Sequence, residues 1–146
     1  MAGYQFRRSH GKRKPSRKKL QEDFRVPPKP RWYYSLRRPG RCRWCGDSTE
    51  RPRQRWHPEC VQEYREINVV SETRRIIRRR DHCVCAACGQ TDRRWELDHK
   101  KPLWEQKDIP VEERDLAYWQ KGNLQTLCRV CHREKSNREA TERSRR

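Results

Sequence analysis

Three stretches decide the fold: Cys85-Ala86-Ala87-Cys88; then Arg94-Trp95-Glu96-Leu97-Asp98-His99-Lys100-Lys101-Pro102-Leu103; then Gly122-Asn123-Leu124-Gln125-Thr126-Leu127-Cys128-Arg129-Val130-Cys131-His132, with Lys135 just beyond. The pairs Cys85-x2-Cys88 and Cys128-x2-Cys131 have the spacing of a four-thiolate structural zinc site, since two intervening residues let one turn present both sulfurs to one ion. About forty residues separate the pairs, so one Zn2+ closes the loop between them and makes metal binding and folding a single event. Cys83 offers an alternative first ligand through Cys83-x-Cys85, and the spacing favours Cys85.

Between the pairs, Arg94–His99 alternates as a short strand that Pro102 ends. Residues 103–121 form a long polar connection with a helical turn around Val111–Trp119, its acids (Glu105, Asp108, Glu112, Glu113, Asp115) on a solvated surface helix. Gly122-Asn123 makes a turn, and Leu124–Leu127 is a second strand or extended segment. The last helix begins near Cys128–Arg129 and runs through Asn137 or beyond. The order is knuckle, strand, loop, strand, helix.

Towards the N-terminus, Cys42-Arg43-Trp44-Cys45-Gly46 and Trp56-His57-Pro58-Glu59-Cys60 supply Cys42, Cys45, His57 and Cys60, a complete ligand set for a second zinc. The alternative makes His57 a helix cap beside three cysteines, too few to close a site. Pro58 suits a first helical position, and Val61, Tyr64 and Ile67 recur on one face of the helix that follows. Ser71 is a candidate cap for a second helix through about Arg80, with Ile76 and Ile77 inward and five arginines outward.

Residues 1–41 carry fourteen Lys or Arg against Glu22 and Asp23. The run Lys12–Lys19 and the Val26–Pro30 segment show no helical or strand period, which predicts a disordered or extended basic tail. Trp32, Tyr33 and Tyr34 break that pattern and are expected to pack on the folded part. The organisation expected is a tail over 1–41, a zinc knuckle with helices over 42–80, and a catalytic domain over 81–146.

The balance of the chain agrees. It has 146 residues, 31% hydrophobic and 40% charged, with a net charge of +18. So polar a chain cannot bury a large core, and its eight cysteines are its staples. Paired cysteines in a reducing compartment are metal ligands more often than disulfides. The positive charge points to nucleic acid. No apolar run of membrane-spanning length and no signal-peptide core accompanies it. The expected setting is therefore intracellular, without a membrane: bacterial cytoplasm, or nucleus if the source is eukaryotic.

Asp98-His99, Asn123 and His132 remain once the staples are set aside. Here the chain resembles the HNH endonucleases, whose D-H-x-x-P-L, N-L-Q-x-L-C and C-H-x-x-K elements all occur in order over about residues 81–138. The resemblance implies a small α+β, zinc-stapled ββα-metal fold of a kind familiar in phage and bacteria. It implies a divalent ion (Mg2+, Mn2+ or another) held by Asp98 and His132, His99 as general base, and Asn123 tying the loop. It also implies hydrolysis of DNA, most simply double-stranded. Lys135, one turn beyond His132 on the same helix face, is placed to meet a phosphate, and Lys100, Lys101, Arg129 and Arg133 are further nucleic-acid-binding candidates. Adjacent strand residues face opposite ways, so the chain must bend if Asp98 and His99 are to share a target. A monomer is expected. A zinc-stapled binder that does not cut, or an accessory subunit with a protein partner in a packaging or recombination machine, stays open.

Overall fold

The computed structural model describes residues 23–30, Tyr33 and 38–145; the Lys12–Lys19 run, Trp32 and Tyr34 lie outside them. Its elements are α1 (Pro58–Asn68), α2 (Val70–Asp81), β1 (Glu96–His99), β2 (Leu124–Leu127) and α3 (Arg129–Arg145). The result is a small α+β structure with one two-stranded sheet. No helix among the described residues is long and apolar enough to cross a membrane.

Pro58 opens α1, where its missing N–H costs nothing. Helix α1 stops at Val69, whose backbone is extended, and α2 starts directly after it. The expected Ser71 cap is therefore displaced, because Val69 holds the N-cap position with no side-chain bond. The Thr73 hydroxyl secures the junction by donating to the Glu66 carbonyl at 2.6 Å and to the Val69 carbonyl at 3.1 Å. Beyond α2, His82 and Cys83 both take positive φ, a conformation non-glycine residues seldom adopt. Their turn swings the chain into the next knuckle.

Two knuckles share one design. In the first, the Gly46 amide donates to the Cys42 carbonyl and Arg41 bridges Ser48; in the second, Gly89 donates to Cys85 and Val84 bridges Thr91. Gly46 and Gly89 both have positive φ, which lets each turn curl back over its thiols. The repeat is legible as C-x2-C-G twice over.

Strands β1 and β2 pair antiparallel, with Glu96 opposite Leu127, Leu97 opposite Thr126, Asp98 opposite Gln125 and His99 opposite Leu124. The first strand is shorter than the sequence suggests, because the Asp92 carboxylate takes the Arg94 amide and bends 92–94 into a turn. Helix α2 is fastened to β2 by polar contacts: Arg80 donates to the Lys121 and Leu124 carbonyls, and the Thr126 hydroxyl donates to Asp81. Burial is divided among three small clusters, around Cys42, Trp44 and Cys60; around Ile77, Trp95 and Leu124; and around Cys85, Leu127 and Cys128. Tyr33 packs on the first, stacked on Tyr64.

Residues 103–121 contain no α-helix, and the helical turn expected around Val111–Trp119 is a 3-10 turn at Leu116–Tyr118. They fold into 3-10 turns at Leu103–Gln106 and Leu116–Tyr118, with a third at Lys121–Asn123. The five acids are exposed as expected, but Gln106, Arg114 and Trp119 are buried. Arg114 explains why. Its guanidinium donates to the Ile109 carbonyl and to the carbonyls of Asp23 and Val26, while the Trp119 indole donates to Arg25. Residues 23–30, turned at Asp23–Val26, are thus a strap held on the loop. Replacing Arg114 with methionine leaves those carbonyls without a donor. The melting free energy should fall by about 2–4 kcal/mol, and trypsin should cut faster at Arg25. Unchanged proteolysis would show that the strap is held by something else.

Candidate active site

The end of β1, the inner face of α3 and the strap enclose a cleft of about 810 Å³, lined by Asp98, His99, His132 and Lys135 among others. Helix geometry puts His132, Lys135 and Glu139 on one face of α3, turned to the strand. Asp98 is buried at 8% exposure and accepts from Gln125 at 2.8 Å. Its carboxylate lies 3.9 Å from His132 Nε2. His99, the last strand residue, reaches the same cleft without a break in the ladder. Asp98 and His99 both line this cleft, and β1 is paired on one side only.

Burial pushes the His99 imidazole below its ordinary pKa; the Asp98 charge opposes this and Lys135 adds to it. The ring is therefore neutral at pH 7 and able to accept a proton. Asn123 does not face the cleft centre. Its amide oxygen accepts from the Lys101 amide, and its nitrogen donates to the Lys101 and Tyr118 carbonyls. It ties the chain just after His99 to the end of the loop.

Lys135 differs from expectation. Its ammonium does not project towards solvent but donates to the His99 carbonyl at 2.7 Å, to Asp98 and to Glu139. It is a part-buried counter-charge to Asp98. Glu139, which sequence reasoning missed, completes that set one turn further on. The cationic rim lies elsewhere. Arg129 and Arg133 border a shallow groove that continues from His132, Lys101 stands over the Tyr118 ring, and Lys100 donates to the Gly122 carbonyl.

Both metal-ligand sets assemble: Cys42, Cys45, His57 and Cys60 in one, Cys85, Cys88, Cys128 and Cys131 in the other, with each set's ligand atoms within 4.8 Å of one another. His57 Nδ1 faces Cys45 Sγ at 3.4 Å and Cys60 Sγ at 3.7 Å, while its Nε2 meets the Ser48 carbonyl at 3.0 Å. That outer bond leaves Nδ1 free to ligate. His57 occupies the N-cap position but makes no capping bond. Cys83 packs instead with Ile77 and Trp95. In the second set, burial raises Cys85 but backbone N–H groups from Cys128, Cys88 and Ala87 overcome it, to about 6, whereas the bond to Cys128 and burial push Cys131 up to about 12. Thiols packed this closely ionise together only around a cation. Both clusters are compatible with zinc.

Asp98 and His132 offer one oxygen and one nitrogen donor 3.9 Å apart at the cleft, donor types that divalent ions take.

Residues 85–138 match the family model of the HNH endonucleases. The HNH segment runs from the second knuckle through the sheet into α3 and covers less than half of the chain. It points to a nuclease-type function and a nucleic-acid substrate. No curated protein and no solved structure gave a significant match.

Proposed function

We propose that the protein is a divalent-metal-dependent endonuclease that hydrolyses DNA phosphodiesters. The observation that carries this is the meeting of Asp98, His99 and His132 in one cleft, inside the HNH segment. Asp98 and His132 would hold the ion, which when bound supplies Lewis-acid stabilisation of the phosphoryl and leaving oxygens. His99, neutral and half-buried, takes a proton from the attacking water. Asn123 fixes the strand end that carries His99. Lys135 and Glu139 hold Asp98 in place, and Arg129 and Arg133 steer a phosphate strand along α3. Hydrolysis leaves a 5′-phosphate and a 3′-hydroxyl. One such cleft per chain acts on one strand at a time, so a monomer nicks. The two Cys/His clusters hold structural zinc.

A plasmid-nicking assay tests this. The zinc-loaded protein should convert supercoiled plasmid to open circles on addition of Mg2+ or Mn2+. Asp98→Asn, which keeps the side-chain size but removes the ligand charge, should abolish that conversion. If wild type and Asp98→Asn stay equally inert while still binding DNA, the protein is a nucleic-acid binder instead.

A further inference from the structure

Away from the cleft, the outer face of α2 forms a second groove with the turn before β1. Arg74, Arg75, Arg78 and Arg93 line it beside Trp95 and Ser71, with no acidic side chain in the lining. The Arg74 guanidinium stands 4.3 Å over the Trp95 ring and donates to the Trp95 carbonyl, so it is set in place before any ligand arrives. Glu72 pairs with Arg75 at 2.6 Å. Arg78 and Arg93 are exposed and have no acidic partner among the described residues. Like charges one helical turn apart repel, and Arg74 and Arg78 stand in that relation. A groove lined by four guanidinium groups, only one of them paired with a carboxylate, is complementary to a polyanion.

We infer that this groove is a second docking track for the phosphate backbone of duplex DNA, separate from the cleft that cuts. Arginine suits the role because its planar fork meets phosphate oxygens in pairs. Contacts of this kind position the duplex without reading its sequence. The inference rests on the nucleic-acid reading of the cleft, but it is tested without cleavage.

Binding of a labelled duplex is measured by fluorescence anisotropy over a range of salt, with no Mg2+ or Mn2+ added. The triple variant Arg75→Gln, Arg78→Gln, Arg93→Gln keeps Arg74 on its ring. It is compared with Arg51→Gln, Arg53→Gln, Arg55→Gln, three exposed arginines of the first knuckle that change the net charge equally. Each lost phosphate contact lowers the salt slope by about 0.9, so the groove variant should lose about two to three units of slope and bind about tenfold more weakly at 0.1 M salt. The knuckle variant should keep the wild-type slope. Equal losses in both sets, or none in the groove set, overturn the inference. Should the triple variant lose its zinc or its melting transition, Arg78→Glu alone reads the same slope. Inert protein in the nicking assay leaves this result interpretable, since anisotropy reports binding only.

Discussion

Replacing His99 with alanine should lower metal-dependent nicking by about 10²–10⁴-fold, the range a positioned general base contributes, while duplex binding and the melting transition stay near wild type. The His99 ring is half-buried in the cleft. The main-chain hydrogen bonds in its neighbourhood come from Asn123 and Lys135, and the Lys135 bond uses the His99 carbonyl, which alanine retains. Loss of the ring therefore removes proton transfer and leaves the scaffold. Initial nicking rates at saturating Mn2+ measure it. Equal cleavage by both proteins would show that another group takes the proton.

The second large effect concerns the staples. Cys85→Ser should unfold the HNH segment and reduce bound zinc from two equivalents per chain to one. A structural zinc contributes an apparent 10–16 kcal/mol, roughly the whole stability of an ordinary domain at about 5–15 kcal/mol. The three small clusters here cannot replace it. One of them, Cys85, Leu127 and Cys128 with Cys131 against it, is built largely from the ligands themselves. Cys83→Ser should keep both zinc ions, because Cys83 lies outside both ligand sets. Metal analysis and far-UV circular dichroism on the two variants separate the cases. A zinc lost with Cys83 would mean that the ligand set is wrongly drawn.

What the sequence made legible was local. Ligand spacing identified the two clusters and the alternation of Leu97, Asp98 and His99 marked a strand. The order of elements followed from turn residues such as Pro102 and Gly122, each signal arising within a few positions of its effect. What it hid was distant. Arg114 bonds the carbonyl of Asp23, 91 residues away, so neither partner announces the other and an extended basic segment looks unattached. The spacing of Lys135, one turn beyond His132 on the same helix face, points to a phosphate contact. Its inward turn depends on Glu139 and on the His99 carbonyl, which meet it only once α3 crosses the sheet. The helical turn expected in 103–121 is present at Leu116–Tyr118, but the loop is not wholly solvated, since Gln106, Arg114 and Trp119 are buried.

The central claim is that a single divalent ion sits between Asp98 and His132 beside a neutral His99. Crystals of the zinc-loaded protein soaked in Mn2+ and measured at the manganese edge test it most directly. The account predicts an anomalous peak between the Asp98 carboxylate and His132 Nε2, within ligand distance of both. Manganese bound at another site, with this one empty in an enzyme that cuts DNA, would contradict it.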